Sequence, residues 1–380
     1  MMRIARPALV RRMIALVESA PSRIPVLVGG CGSGRTSVLE DVRERIGADN
    51  CQYVNLERAA TTPERFHRAL CLQSPFVAPD VPLAARSPRD AFDATLAFLT
   101  GARTADGGPA AFLLDEVLEF RTFENFPGLR TLMRDLLAAL VGSTNRFVLT
   151  TRYVSRMLRL LRDAPPRLEV IQFPPLEEAE LHDALVAAGM PDARDLARVV
   201  LALADGHGGH ASALVARLRE LSVQGGSDPV SALAAMMEPG ADAARAIGWC
   251  YELRLHRARG YGALKGILGI LAEEEPLTLT EIALRLQRTP GSTKDYLSWL
   301  EDVDLVQVRQ KRYSFADPML RLWVRLHCRP VPPTDDEVAS EVHQYAMARL
   351  PQTEPVMVLA GGGNAGADDE RKTWGIIEID

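Results

Sequence analysis

The chain has 380 residues, which is too long for one compact core and fits two or three domains. Its formal net charge of −5 excludes a protein that binds nucleic acid through its overall charge, so any DNA contact must come from a local basic patch. The five cysteines show neither zinc-site pairs nor a disulfide framework, which is typical of reduced thiols. No signal-peptide segment opens the sequence, and no stretch reaches the ~20 apolar residues of a membrane span. We therefore expect a cytoplasmic protein without membrane contact.

Short apolar segments alternate with helical periodicity in the first 175 residues. Apolar runs of this length are typical of strands in a parallel sheet that helices cover on both faces. The fold class expected for residues 1–175 is therefore α/β with a parallel sheet. We predict strands at 24–28, 52–56, 110–114, 146–150 and 168–173, and helices at 4–19, 37–46, 62–72, 90–100 and 126–141.

Only helical periodicity follows Pro174 and Pro175, with a hinge predicted at Gly225 to Ser227. Farther on, three helices, two short strands around Gln310 and Lys311, and a closing helix follow the order of a winged helix. The chain then turns polar, although Trp374 and its apolar neighbours could dock on a partner or fold back. We predict a helical lid at 176–240, a connecting helix and winged helix at 241–330, and a mostly flexible C-terminal tail at 331–380.

The first predicted strand leads into a phosphate-binding pattern. Gly29 to Thr36 fits G-x-x-x-x-G-K-[ST], except that Arg35 stands in place of the lysine. Backbone amides in such a turn, together with the start of the next helix, bind phosphate oxygens. The alternatives are a glycine-rich turn without function and, for Cys31, a redox role instead of simple filling. The predicted nucleotide-binding residues of this segment are Gly29, Gly30, Cys31, Gly32, Ser33, Gly34, Arg35, Thr36 and Ser37.

An acidic pair and two further polar residues end the other central strands. Asp115 and Thr36 would hold Mg²⁺, and Glu116 would polarise the attacking water. The segment Thr150 to Arg152, which ends the next strand, is predicted to supply polar groups beside the γ-phosphate, with Thr151 as the catalytic candidate. Asn55 either holds Glu116 in an inactive rotamer or starts an ordinary turn.

Arginine in place of the loop lysine leaves two interpretations open. The sequence contains four lysines, none of them in the first 264 residues, so no lysine of the predicted α/β part can take over the role. A guanidinium group is planar and longer than an ammonium group. Either the position has drifted with a general preference for arginine while function is kept, or the site binds nucleotide and hydrolyses it slowly.

These motifs resemble those of AAA+ and STAND P-loop ATPases. The phosphate loop, Leu113 to Glu116, Leu149 to Arg152 and Phe173 to Leu176 follow the family order. The resemblance is closest to the archaeal-type ATPases and the Orc1/Cdc6-like proteins, and it covers about residues 5 to 328. It implies a P-loop (ASCE/AAA+) domain, a helical lid and a winged helix, with ATP and Mg²⁺ as cofactors and a homo-oligomer as one option. It also implies that the lid loop containing His210 approaches the nucleotide, although Ala211 replaces the usual proline. No arginine lies in this loop in the position that the family calls sensor 2, so His207 or His210 would have to serve there.

The output of the winged helix has two possible targets. Its third helix carries Asp295 and Glu301, which disfavour entry into a DNA groove, whereas Arg309, Lys311 and Arg312 at the wing can contact a DNA backbone. Three functions follow. The chain is an ATP-dependent switch with a protein partner, a DNA-binding ATPase that assists replication, transposition or repair, or a nucleotide-bound scaffold without significant turnover.

Overall fold

The computed structural model describes residues 2–77, 83–223, 228–256 and 260–350. The predicted hinge at 225–227 and the tail residue Trp374 lie outside these ranges. The described part belongs to one compact unit, Met1–Leu350. The boundaries at 175 and 240 stay predictions for subdivisions inside it.

The N-terminal part contains a five-stranded parallel sheet in the order β2-β3-β4-β1-β5. Its strands are β1 Ile24–Val28, β2 Cys51–Asn55, β3 Ala111–Asp115, β4 Arg146–Thr151 and β5 Leu168–Gln172. Its helices are α1 Pro7–Glu18, α2 Arg35–Ile46, α3 Leu56–Ala59, α4 Pro63–Leu72, α5 Pro88–Gly101, α6 Leu132–Gly142 and α7 Val154–Leu160, with 3₁₀ turns at Ala48–Asn50 and Val117–Asn125. The predicted α/β class and its five strands are confirmed. The helix expected from residue 126 begins at Leu132 because a 3₁₀ segment and a turn come first.

Apolar side chains cover both faces of this sheet. Leu27, Leu113 and Val148 pack into one cluster with the buried faces of α1 and α2. Their neighbours Phe112 and Leu149 join the larger core on the opposite face. Successive residues of a strand point to opposite faces. Burial on both sides therefore explains why these strands are continuously apolar instead of alternating with polar residues.

The strand order decides which loops meet. β4 lies between β1 and β3, so the polar end of β4 separates the segment after β1 from the segment after β3. All three strands run parallel, and their carboxyl ends therefore share one edge, where α/β sheets bind ligands. This edge brings Arg35, Asp115 and Thr150 together.

Helices and a small antiparallel sheet follow. The lid and connecting helices are α8 Glu178–Ala187, α9 Ala193–Leu203, α10 Gly208–Ser222, α11 Pro229–Met237 and α12 Asp242–Leu255. The winged-helix unit, residues 261–327, comprises α13 Tyr261–Glu273, β6 Leu277–Thr278, α14 Leu279–Arg285, α15 Pro290–Asp302, β7 Val306–Arg309, β8 Arg312–Phe315 and α16 Pro318–His327. Its sheet has the order β6-β8-β7, and the short strand β6 was not predicted. The predicted order of a parallel α/β part followed by a helical C-terminal region is confirmed, and its division into lid and winged helix stays a prediction.

Part of the predicted tail is helical. Within residues 331–350, α17 Asp335–Met347 is a helix that packs on α11 and α16. The remainder of the predicted flexible tail, 351–380, lies outside the described ranges. Val338 and Val342 are buried, and the Tyr345 hydroxyl donates to the carbonyl oxygen of Leu203 at 2.8 Å. The mostly polar composition of this segment hid the few apolar residues that lie on one face of α17. Within the described ranges, no helix combines the length and apolar character needed to cross a membrane.

Candidate nucleotide site

The phosphate loop joins β1 to α2. Gly34 at its end has φ of 102°, a left-handed conformation that side chains disfavour and glycine adopts freely. Helix α2 begins at the next residue, and the amides of its first turn have no acceptor within the helix. Backbone donors and the positive end of the helix dipole thus converge at the loop, as phosphate binding requires.

Arg35 folds back into this loop. Its Nη1 donates to the carbonyl oxygens of Gly29 and Gly30 and, at 3.1 Å, to Ser33 Oγ. Its Nη2 donates to Glu116 Oε1 at 2.7 Å, and the two side chains are only 8% and 7% exposed. Arg35 Nε is buried without a hydrogen-bond partner. The predicted contact between Arg35 and phosphate therefore requires the guanidinium group to give up its present partners.

Glu116 is held from two sides. Besides Arg35, its carboxylate accepts a hydrogen bond from the Arg152 backbone amide at 3.0 Å, and Arg152 Nε lies 3.2 Å from Oε1. The Nε contact is an ion pair that lacks hydrogen-bond geometry. Glu116 itself has φ of 59°, the kind of backbone strain that collects at functional sites.

Asn55 does not hold Glu116. Its Oδ1 accepts a hydrogen bond from the Arg58 amide at 3.1 Å and caps α3. Of the two interpretations for Asn55, the ordinary turn is the one the structure shows. The catalytic assignment of Asn55 is corrected, because Arg35 and Arg152 supply the contacts instead.

Oxygen ligands surround Asp115. Thr36 Oγ1 donates to Asp115 Oδ2 at 3.0 Å, the Tyr53 hydroxyl donates to the same oxygen at 2.8 Å, and Thr150 Oγ1 donates to Oδ1. Hydroxyl and carboxylate oxygens are the donors that Mg²⁺ prefers. The predicted pair Thr36 and Asp115 therefore fits a magnesium ion.

Thr150, and not the catalytic candidate Thr151, bonds to the acidic pair. The Thr151 side chain is fully buried, and its hydroxyl accepts a hydrogen bond from the Tyr153 amide at 3.2 Å. Thr150, one residue earlier, points to Asp115 because side chains alternate along β4. The same alternation was the available signal for Tyr53, which lies two residues before the end of β2.

Of the two lid histidines, His207 is the one whose side chain bonds to the loop. Its Nε2 donates to the Cys31 carbonyl oxygen at 2.8 Å, and its Nδ1 accepts from the His210 amide at 3.2 Å. These partners assign the neutral Nε2–H tautomer. Burial first, and then the neighbouring His210, lowers the pKa of His207 to about 3. The His210 side chain, predicted to approach the nucleotide, bonds instead to Asp317 Oδ2 at 2.9 Å.

The lid helix α10 approaches the loop so closely that Gly209 has no room for a side chain. A Cβ at Gly209 would lie 2.5 Å from the carbonyl oxygen of Gly32. We expect Gly209→Ala to lower the free energy of unfolding by about 1–3 kcal/mol because the helix must move off the loop. Gly208→Ala is the matched control, since its Cβ would meet the Ser33 carbonyl oxygen at 3.3 Å. Denaturant unfolding measures both variants, and an equal loss in the two would contradict the close approach.

The predicted basic residues of the wing lie together at the turn between β7 and β8. Arg309, Lys311 and Arg312 are exposed. Arg312 Nη1 donates to the Pro276 carbonyl oxygen at 3.0 Å. The wing therefore presents two of its cations, Arg309 and Lys311, without a hydrogen bond or ion pair to the described part of the chain.

The phosphate loop, the acidic pair after β3 and the interposed β4 define a P-loop ATPase fold of the AAA+ type. A solved Walker-type ATPase of Pyrococcus abyssi is similar over 85% of this chain and 96% of its own, with 15% identity and a TM-score of 0.62. The Orc1 protein of Aeropyrum pernix, solved in complex with DNA, matches over 89% and 93% at 18% identity with a TM-score of 0.46. A STAND protein with a tetratricopeptide repeat sensor from Pyrococcus horikoshii matches over 91% and 45% at 14% identity with a TM-score of 0.34. No protein-family model and no curated protein matches the chain.

The chain therefore has the AAA+ fold that its motifs resemble. At 15% identity, the likeness to the Pyrococcus abyssi ATPase establishes the fold alone. Any activity has to be inferred from the residues of the site.

Proposed function

We propose that the chain is an ATP-binding molecular switch of the AAA+/STAND type, with slow hydrolysis and with output through its winged-helix unit to an unidentified protein partner. The observation that carries this proposal is that two aspartates of the winged-helix unit, Asp304 and Asp317, bond to segments that also contact the nucleotide site. A winged helix attached at these points responds to movements of the phosphate loop and of Glu116.

The first attachment joins Asp304 to α7. Asp304 Oδ1 accepts hydrogen bonds from the Ser155 amide at 3.1 Å and from Ser155 Oγ at 2.6 Å. Ser155 lies three residues after Arg152, the residue that holds Glu116. Arg159 of the same helix pairs with Asp302. A displacement of Glu116 is therefore transmitted along a few residues to the docking contact.

The second attachment joins Asp317 to the lid. Asp317 caps α16 through the amides of Met319 and Leu320 and also accepts from His210. Burial alone would raise the pKa of Asp317, but the His210 charge and hydrogen bond outweigh it, so the pKa is lowered and the carboxylate stays ionised. The His210 ring lies 4.0 Å from the ring of His207, which in turn bonds the loop. Loop, lid and winged-helix unit thus form one connected series of contacts.

We expect slow hydrolysis because Arg35 has two alternative sets of hydrogen-bonding partners. Its guanidinium group can bond the loop carbonyls and Glu116, as it does here, or phosphate oxygens. Thr36 and Asp115 would hold Mg²⁺, which supplies charge neutralisation at the phosphates. Glu116 can accept a proton from water, or orient it, only after Arg35 releases its carboxylate. The Arg35–Glu116 pair therefore delays chemistry while leaving the amides of the loop available for binding.

Removal of the Asp304 carboxylate tests the switch. We expect Asp304→Ala to speed amide hydrogen exchange in α7 and α15 about tenfold, because hydrogen bonds to a charged acceptor contribute about 1.5–3 kcal/mol. MgATP should change the exchange of the same helices in the wild type and have little further effect in the variant. Asp295→Ala, an exposed change on α15, is the control. Exchange in wild-type α7 and α15 that is the same with and without MgATP would remove the switch proposal.

DNA binding is the second candidate, and the exposed Arg309 and Lys311 at the wing favour it. Helix α15, the usual groove reader, packs against α7 here, so only backbone contacts through the wing are compatible with the docked arrangement. Binding of a DNA duplex that weakens steeply with salt and is lost when Arg309, Lys311 and Arg312 are changed to alanine would establish this function.

A further inference from the structure

Two cysteines from distant parts of the chain meet beside the phosphate loop. Cys31 lies in the loop, and Cys250 lies on α12. Both line one cavity of about 630 Å³, and both are partly exposed. Each thiol is the largest influence on the pKa of the other. The two side chains therefore lie near one another, and both face a cavity that a small molecule can enter.

Cys31 is the more reactive member of the pair. The neighbouring Cys250 thiol is the largest influence on it, and the charges of Arg254, Arg152 and Arg35 add to this effect. Together they outweigh burial and lower the pKa of Cys31 to about 6. The pKa of Cys250 is raised by Cys31 and by burial. Because the thiolate is the nucleophilic form of cysteine, Cys31 is the sulfur that attacks first.

The other three cysteines lack these features. Burial raises the pKa of Cys51 to about 12 and that of Cys71 to about 11. Burial also raises the pKa of Cys328. All five cysteines lie within the described ranges, and Cys31 is the one among them whose pKa is lowered. An oxidant should therefore react with Cys31 of the phosphate loop before it reacts with Cys51, Cys71 or Cys328.

We propose that Cys31 and Cys250 form a dithiol site that reacts with hydrogen peroxide, and that the resulting disulfide closes the nucleotide site. The Cys31 thiolate attacks one peroxide oxygen, the O–O bond breaks, and the departing hydroxide takes up a proton to become water. The sulfur of Cys250 then attacks the sulfenic acid on Cys31, the S–O bond breaks, and a second water leaves with the Cys250 proton. Two thiols lose two electrons to one peroxide, and a dithiol reductant reverses the change.

The bridge would tie the phosphate loop to the helix that contacts the winged-helix unit. Arg254, one turn after Cys250 on α12, donates to the backbone oxygen of Asp304 at 2.9 Å. Glycines flank Cys31, and a Cβ at Gly30 would meet no atom within 4 Å, so the backbone on that side of Cys31 is not crowded. The effect of the bridge on nucleotide rests on the proposed function, since a tethered loop can no longer close around phosphate.

The test treats the full chain with hydrogen peroxide and maps disulfides by mass spectrometry of non-reduced peptides. We expect a peptide that links Cys31 to Cys250, absent from Cys250→Ser and still present in the control Cys328→Ser. In Cys250→Ser, oxidation should stop at a Cys31 sulfenic acid that dimedone traps. Affinity for fluorescent N-methylanthraniloyl-ATP should fall at least tenfold in the oxidised wild type and recover after dithiothreitol.

The outcomes separate the two proposals. Absence of the Cys31–Cys250 peptide, or an equal yield of it from urea-unfolded protein, overturns the dithiol site whatever the protein binds. A bridge that leaves nucleotide affinity unchanged overturns its control of the site. Reduced protein that binds no nucleotide removes the proposed function, while the peptide map still decides the dithiol site.

Discussion

Replacement of Glu116 by glutamine will lower ATP turnover by at least about 100-fold, the usual contribution of a positioned general base. The same change will lower the free energy of unfolding by about 3 kcal/mol, because it breaks a buried ion pair and leaves a guanidinium group without its anion. Both partners are less than a tenth exposed, so solvent screens the pair little. The glutamine amide also places donors against Arg35 and Arg152, which have only donors to offer. Steady-state hydrolysis and denaturant unfolding measure the two effects separately.

Glu57→Gln is the matched control for this change. Glu57 Oε2 accepts from Arg152 Nη2 at 2.5 Å, so the control disturbs the same arginine through the same substitution. Its side chain is 34% exposed and makes this contact outside the phosphate loop. We expect a turnover change of less than about threefold for Glu57→Gln. Equal turnover in Glu116→Gln and the wild type would show that this site does not hydrolyse ATP.

Sequence patterns identified the elements of the fold because each pattern is local. A run such as Ile24–Val28 followed by a glycine-rich turn contains its own signal for a buried strand and a phosphate loop. The acidic pair after β3 is likewise readable from an apolar strand that ends in Asp115. Helix α17 escaped prediction because its apolar positions are few and its neighbours α11 and α16 supply most of the stabilisation.

The contacts inside the site were not predictable because they depend on which side chains the strand order brings together. Arg35 and Glu116 are 81 residues apart, and no local pattern shows that the guanidinium group binds the carboxylate instead of phosphate. The choice between His207 and His210 depends on the orientation of α10 against the loop. One contact did have a signal in the sequence. Successive side chains along a strand point to opposite faces, and this alternation distinguishes Thr150 from Thr151.

Arg35→Lys will raise ATP turnover about tenfold, which corresponds to about 1.4 kcal/mol in the activation free energy. An ammonium group is a compact point charge without the planar fork of a guanidinium group. Arg35 bonds the loop carbonyls through Nη1 and Glu116 through Nη2, whereas the shorter lysine has a single nitrogen with which to reach either set. The carboxylate of Glu116 becomes available to water, while a cation remains at the loop for the phosphates. Hydrolysis at saturating MgATP, together with the affinity for nucleotide, measures the change.

Arg43→Lys on the exposed face of α2 controls for the loss of an arginine on the same helix and should leave turnover within about twofold. A gain specific to Arg35→Lys would mean that the arginine holds a competent site in a slow state, as a switch requires. Turnover that stays low in Arg35→Lys while nucleotide still binds would show that the arginine is not what limits the rate. The function favoured would then be the nucleotide-bound scaffold, in which the Arg35–Glu116 pair stabilises the fold without regulating a reaction.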